Sequence, residues 1–235
     1  IFFGVLGYAA RQEGVSRIGI LHTQDAGGEA GRDAIRAAAV SNGVQVVTQA
    51  SYERSQTGIN DAAEAYTDAF INAGLDGLFF TDGGSGVVYA VSFLPYFGLD
   101  MDGIQTMSIQ PMDGAEFSAE RPLRGTLYAV PDPQLVELFG VRYRQAYGAA
   151  PDPLASLSYD AVAAVGAMIA TAREAEDTAP FDAEDIRTPL GFAGVNGIFR
   201  FSEDGALERG LSVMQVTEDG PVMVSPAPQG FGFGS

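Results

Sequence analysis

The sequence predicts an α/β fold built on a doubly wound parallel sheet, and three observations carry that prediction. First, Arg17-Ile-Gly-Ile-Leu-His-Thr, Gln24-Asp-Ala-Gly-Gly and Glu29 to Ile35 read as a buried strand, a glycine-bearing turn and a helix in direct succession. Second, the same grammar returns at Gly77-Leu-Phe-Phe-Thr81, Asp82-Gly-Gly-Ser-Gly86 and Val87 to Phe97. Third, strand and helix signals alternate without interruption as far as Ile109, the pattern of a right-handed parallel sheet with helices on both faces.

Taken in order, the chain opens inside an amphipathic helix that runs to about Gln12 and stops at Gly14. A strand follows at 17–22. Gly27 and Gly28 permit a sharp turn, and Glu29 and Asp33 sit in first helical turns, where the helix dipole favours negative charge. Asn42-Gly43 ends this helix. Val44 to Ala50 is the second strand. Arg54-Ser-Gln-Thr-Gly is a polar loop, and Asn60 is the expected N-cap of a helix over Asp61 to Ala73, ended by Gly74. The third strand covers 77–81 and the fourth 105–109.

From Gln110 to Arg124 the pattern is irregular. Gly125 to Val130 is a fifth strand, and Pro131-Asp-Pro133 is a stiff break. Two helices, 134–147 and 157–176, bring no strands with them. The acidic stretch from Glu174 to Asp185 reads as a solvated loop leading into a short helix. Hairpin signals then take over, with a hairpin over 197–216 expected beside the sheet and a strand over 222–224. The tail, 226–235, has no periodicity and is expected to be loose.

Composition narrows the functions. The net charge is −17, and all thirteen basic residues are Arg, because the sequence has no Lys. So acidic a surface repels phosphate backbones and anionic lipid, which argues against nucleic acid and membrane surfaces as partners. Schiff-base and phosphate-loop chemistry both need a lysine. The absence of Cys removes disulfides and thiolate sites. No apolar run is expected to be long and charge-free enough to span a bilayer.

The order of these segments, with Asp25-Ala-Gly-Gly, Pro131-Asp-Pro, Phe139-Gly-Val-Arg-Tyr-Arg-Gln-Ala-Tyr-Gly, Ser158-Tyr-Asp-Ala-Val and Gly194-Val-Asn-Gly-Ile-Phe-Arg-Phe-Ser-Glu-Asp-Gly, resembles the type I periplasmic binding proteins. Within them it is similar to the Leu/Ile/Val-binding receptors, and closer still to lipoproteins known as penicillin-binding-protein activators, on Gly191-Phe-Ala-Gly-Val-Asn-Gly and the Pro-Ala-Pro tail. The resemblance implies two lobes closing on a hinge, with the first lobe's sheet preceding Ile1. It assigns 1–130 and 194–225 to the second lobe, and 131–193 to helices of the first. It implies a periplasmic protein, whose leader or lipid anchor would precede Ile1. It also implies a packing role for Asp160 near the hinge.

Ligands of open α/β sheets lie at the carboxyl ends of the strands. The expected contacts are therefore Thr23, Gln24, Asp25 and Gly27 after the first strand, Asp82 and Gly83 after the third, and Gln110 after the fourth. No catalytic residue, metal ligand or cofactor is expected. His22, the only histidine, lacks a nucleophile or metal partner in sequence and reads as structural. The window Gly83-Gly-Ser-Gly-Val fails the Gly-x-Ser-x-Gly pattern at its last glycine. The carboxylate pairs Asp25 with Glu29 and Asp82 with Asp113 show no sign of tuning. Tyr143, Tyr147 and Tyr159 read as core and rim.

The expected function is non-catalytic recognition of a small polar ligand, with a transporter membrane component as partner. The alternative is activation of a peptidoglycan synthase through a protein surface. The resemblance also implies weak binding of free branched-chain amino acids. The receptors usually carry Tyr-Gly where this chain has Asp25-Ala-Gly-Gly28, and an acidic residue where it has Gln110 or Pro111.

Overall fold

The structure, a computed structural model, describes residues 2–112, 114–175, 181–203 and 205–231. The chain divides into two compact units, one formed by Phe2–Ala129 with Val213–Ser225, the other by Val130–Ser212 with the chain from Pro226 onward.

The first unit holds the sheet. Helix α1 (Phe2–Gln12) precedes β1 (Arg17–Thr23), α2 (Ala26–Ser41), β2 (Gln45–Tyr52), α3 (Gln56–Ala73), β3 (Gly77–Phe80), α4 (Ser85–Tyr96) and β4 (Gln105–Ser108). Then come α5 (Ala115–Ala119), a 3-10 turn at Arg121–Leu123 and β5 (Leu127–Val130). Two strands from late in the chain, β8 (Ser212–Thr217) and β9 (Gly220–Ser225), complete a seven-stranded sheet of order β2-β1-β3-β4-β5-β8-β9. The pairs β1–β2, β1–β3, β3–β4 and β4–β5 are parallel, and β8–β9 is antiparallel.

The strands are central because they are apolar on both faces. Ile18, Ile20, Leu78, Phe79, Phe80 and Met107 are all buried, each contributing about 1.5–3 kcal/mol. Gly19 has no side chain because the Phe70 ring of α3 and Leu75 fill that space, which puts α3 on the face served by odd-numbered β1 residues. Helix α2 covers the other face through Ile35, Ala38 and Ala39, at helical spacing.

Two helix starts differ from the sequence reading. Helix α2 begins at Ala26, with the Asp25 carboxylate accepting from the Gly28 amide at 2.8 Å, so Gly27 and Gly28 are helical rather than turn residues. Gly28 is needed for close approach: a Cβ there would collide with the Thr23 carbonyl and hydroxyl. Helix α3 begins at Gln56, capped by Ser55 and not by Asn60, because the Ser55 hydroxyl accepts from the Gly58 amide at 3.0 Å.

The second unit contains α6 (Pro133–Tyr147), α7 (Ala155–Ala175), α8 (Ala183–Ile186) and a two-stranded antiparallel sheet of β6 (Phe199–Phe201) and β7 (Leu207–Arg209). The expected hairpin over 197–216 is therefore split. Residues 199–209 form their own small sheet around Phe192 and Phe199, whereas β8 joins the large one. Assigning all of 194–225 to the sheet lobe is corrected accordingly. Much of the acidic stretch before α8, residues 176–180, lies outside the described residues.

The tail is tied down as far as it is described. The Ala227 amide donates to Ser212 Oγ at 3.1 Å, Pro228 packs on Gly210, and the Arg200 guanidinium lies 4.4 Å from the Phe231 ring centre. Residues 232–235 lie outside the described residues.

Helices α6 and α7 carry Val136, Leu138, Leu157, Val162 and Val165 exposed. Tyr147 and Tyr159 are exposed as well, so the tyrosines form a surface ring cluster with Phe139 rather than core. At 21 residues, α7 is long and apolar enough to cross a membrane, contrary to the sequence expectation. Its Asp160, however, is buried and hydrogen-bonded to the loop at Val195 and Asn196, the setting of a packed helix in a folded unit.

Candidate functional site

The strand order β2-β1-β3 brings the carboxyl ends of β2 and β3 to either side of the β1 end, and a cluster of charged side chains assembles there. Tyr52 is paired with Thr23 at the end of β2, and Asp82 lies two residues past β3. Tyr52 is buried and its hydroxyl donates to Asp82 Oδ2 at 3.0 Å. The other oxygen, Oδ1, accepts from the Gly83 amide at 2.9 Å. Arg54, in the loop after β2, places Nη2 3.3 Å from Asp25 Oδ2 and 3.6 Å from Asp82 Oδ1.

The electrostatics follow from these contacts. The Gly28 amide holds the Asp25 carboxyl below the usual carboxylate range, helped by the Arg54 guanidinium and opposed by partial desolvation. Burial pushes the Tyr52 hydroxyl well above its ordinary value, and the adjoining Asp82 charge adds to that, so Tyr52 is a fixed neutral donor. One guanidinium between two carboxylates leaves the trio with a formal charge of about −1. Both contacts to the carboxylates use Nη2, so among the described residues Nε and Nη1 of Arg54 keep their donors for another group.

Of the seven expected contact residues, four surround this cluster. Asp25 and Asp82 flank Arg54. Gly83 lies against Gln110, since a Cβ on Gly83 would sit 2.7 Å from Gln110 Cβ. Ser108 Oγ accepts from the Gln110 amide at 3.0 Å and lies 3.3 Å from the Asp82 carbonyl oxygen, binding the ends of β3 and β4 together.

The other three are placed differently. Thr23 is fully buried, with its amide donating to Thr81 Oγ1, so it supports the site from beneath. Gly27 lies within the first turn of α2. Gln24 turns to the α2 side, its amide 3.4 Å from Ser51 Oγ. Of the two candidate carboxylate pairs, Asp25 and Glu29 share no common partner, and Asp113 lies outside the described residues. No group of three or more potential metal ligands occurs among the described residues.

Arg54 and Tyr52 were not singled out in the sequence. The usable signal was their position just before and just after the end of a strand, but it acquires meaning only once β2 is known to lie beside β1.

This architecture, a mostly parallel seven-stranded sheet with helices on its faces, is that of the type I periplasmic binding proteins. The family model described as periplasmic binding protein matches residues 2–221, and the chain belongs to that family. Among solved structures, a protein described as a branched-chain amino acid ABC transporter from Rhodospirillum rubrum superposes with a TM-score of 0.73 at 18% identity, covering 95% of this chain and 65% of that one. The solute binding protein of an ABC transporter from R. palustris, solved with benzoate, gives 0.59 at 18% identity, covering 97% of this chain and 63% of that one. A leucine binding protein from Thermotoga maritima gives 0.59 at 17% identity, covering 95% and 64%. The chain thus spans about two thirds of the length of these neighbours. No curated protein sequence matches it. Membership of the family implies a periplasmic location.

Proposed function

We propose that this chain is the larger part of a non-catalytic solute-binding protein that delivers its ligand to a membrane transport component. In this reading the cluster at the carboxyl edge of the sheet is one wall of the ligand site, and the family's other lobe closes over it on a hinge. Helices α6 and α7 would contribute to that other lobe, the first in chain order. Closure follows if the ligand touches both walls only in the closed form, because that differential contact shifts the equilibrium.

The observation that carries the proposal is Arg54 held between Asp25 and Asp82. The arrangement offers carboxylate acceptors and spare guanidinium donors side by side. It suits a small polar ligand with a cationic or N–H end for Asp25, and a carboxylate or carbonyl end for Arg54 and Gln110. The leucine and benzoate of the neighbouring proteins are small ligands of comparable size. An isobutyl group, however, would find the polar side chains of Asp25, Arg54, Asp82 and Gln110 around this cluster, the Tyr52 ring being buried beneath them, so branched-chain amino acids are poor candidates.

The test is a thermal-shift titration of the intact protein with amino acids, small carboxylates, amides and polyamines. Tight binding adds about 2.7 kcal/mol at a hundredfold excess over Kd. The expected result is a shift with a polar member of the panel, lost in Arg54→Ala and Asp25→Ala, and none with leucine. A shift that survives both substitutions, or none with any solute, overturns the assignment of this site.

A further inference from the structure

A cavity of about 250 Å³ lies on the opposite face of the same sheet, where α2 packs on the ends of β1 and β2. Side chains alternate along a strand, so Tyr52 points to the α3 face, while His22 and its register partner Ser51 point to the α2 face. The Arg36 bond to Gln49 confirms which helix covers that face. Because β2 is the outermost strand, Tyr66 of α3 also reaches the cavity past the free edge. The cavity is lined by His22, Glu29, Arg32, Gln49, Ser51 and Tyr66 together with Gln24 and Ala50, and it shares no residue with the Arg54 cluster.

The hydrogen-bonding inventory is specific. His22 is only 5% exposed, and its Nδ1 lies 3.0 Å from the Thr23 carbonyl oxygen. That contact places a proton on Nδ1, and Nε2 has no protein partner among the described residues. Gln49 Oε1 is taken by Arg36, so its NH₂ donors remain available. Arg32 spends Nε and Nη2 on Asp33. The Ser51 and Tyr66 hydroxyls each donate and accept, and Glu29 supplies two acceptor oxygens.

The lining therefore offers both donors and acceptors, with the Arg32 charge already paired to Asp33 and the Glu29 carboxylate left to accept from hydroxyls. An anion would want donors only, and a cation acceptors only. Hydroxyl groups are both at once. The half-exposed Tyr66 ring adds a flat apolar surface of the kind that packs on the C–H face of a ring. At roughly 30 Å³ per water, the cavity holds about eight waters, the space of one pyranose. We infer that this pocket binds a neutral polyhydroxylated ligand the size of a single sugar ring, independently of the Arg54 site.

The experiment is saturation-transfer NMR on the intact protein with free hexoses, pentoses, linear polyols and the corresponding disaccharides, with inorganic phosphate and benzoate as anionic controls. The expected result is saturable binding of a single-ring sugar or polyol. Gln49→Ala and Tyr66→Ala should each weaken it about tenfold or more, the loss of one hydrogen bond or packing surface, with unchanged circular dichroism. Arg54→Ala should leave it unaltered. No saturable signal from any sugar or polyol overturns the inference. So does stronger binding of the anions, or a sugar signal that survives Gln49→Ala and Tyr66→Ala. A signal abolished by Arg54→Ala would return the sugar to the carboxyl-edge site and likewise overturn it. A preference for a disaccharide over every single-ring sugar and polyol overturns it as well.

Discussion

Arg209 Nη1 lies 3.1 Å from Asp160 Oδ2, and both side chains are largely withdrawn from solvent. Asp160 also accepts from the Val195 amide at 2.6 Å, the Asn196 amide at 3.2 Å and the Asn196 side chain at 3.0 Å. One carboxylate on α7 thus fixes the loop that leads into β6, while the Arg209 guanidinium also lies 4.9 Å from the Phe199 ring centre. Removing one member of such a buried set leaves the others unpaired. Asp160→Ala is expected to cost about 3–5 kcal/mol in urea unfolding. Asp160→Asn, which keeps one acceptor oxygen but no charge, should fall between it and the parent. A loss below about 1 kcal/mol for the alanine variant would show the cluster to be dispensable.

Two glycines should respond to alanine in opposite directions. At Gly28 a Cβ meets the Thr23 backbone, which cannot swing away, so Gly28→Ala is expected to destabilise by about 1–3 kcal/mol. At Gly166, inside α7, a Cβ meets nothing within 4 Å, and Gly166→Ala should stabilise by about 0.5–1 kcal/mol. Parallel denaturant curves measure both, and equal effects would contradict the geometry.

Asp25 gives a pH dependence with a defined sign. Its folded carboxyl titrates below the unfolded value, about 3.9, so the unfolded chain binds the proton more readily. The stabilisation is fully present above the unfolded value and is lost as pH falls through the folded one. Asparagine caps a helix as well as aspartate does, so Asp25→Asn removes the charge and keeps the cap. The melting temperatures of parent and variant should differ at neutral pH and converge on acidification. Curves that diverge toward low pH would reverse the assignment.

The apolar side chains displayed by α6 and α7 predict a sticky surface. Val162→Ser and Leu138→Ser should reduce binding of an apolar dye and slow self-association, with stability changed by no more than about 0.5 kcal/mol. A large loss of stability in either variant would mean that the residue is packed in solution.

The parallel sheet was legible because Ile18, Ile20, Leu78 and Phe79 make short runs apolar on both faces, each followed by a glycine-bearing stretch and a helix. Helix starts were harder to read. Gly27, Gly28 and Gly58 look like turn residues, yet they lie in first helical turns, two of them because a neighbouring carbonyl leaves no room for a Cβ. The candidate cluster was half legible: the positions of Asp25, Asp82, Gly83 and Gln110 follow from strand ends alone. Arg54 and Tyr52 do not, because their roles depend on β2 being the neighbour of β1. The division of the last strands was not legible at all. Turn chemistry marks a hairpin but not its sheet, and the contacts that hold β6 and β7 apart, such as Gly210 on Pro228 and Arg209 on Asp160, are remote or involve the other helices.

The interrupted course of the large sheet bears on how the chain is made. Strand β5 ends at Val130, and the strand that covers its free side, β8, starts only at Ser212. A ribosome adding about 5–20 residues per second needs on the order of ten seconds to synthesise the stretch between them. Throughout that interval, the nascent sheet has an unsatisfied row of amides and carbonyls along β5, a template for wrong partners. The β5–β8 pairing therefore waits until the whole intervening stretch has been made, and a chaperone able to shield β5 would have most to protect in those seconds.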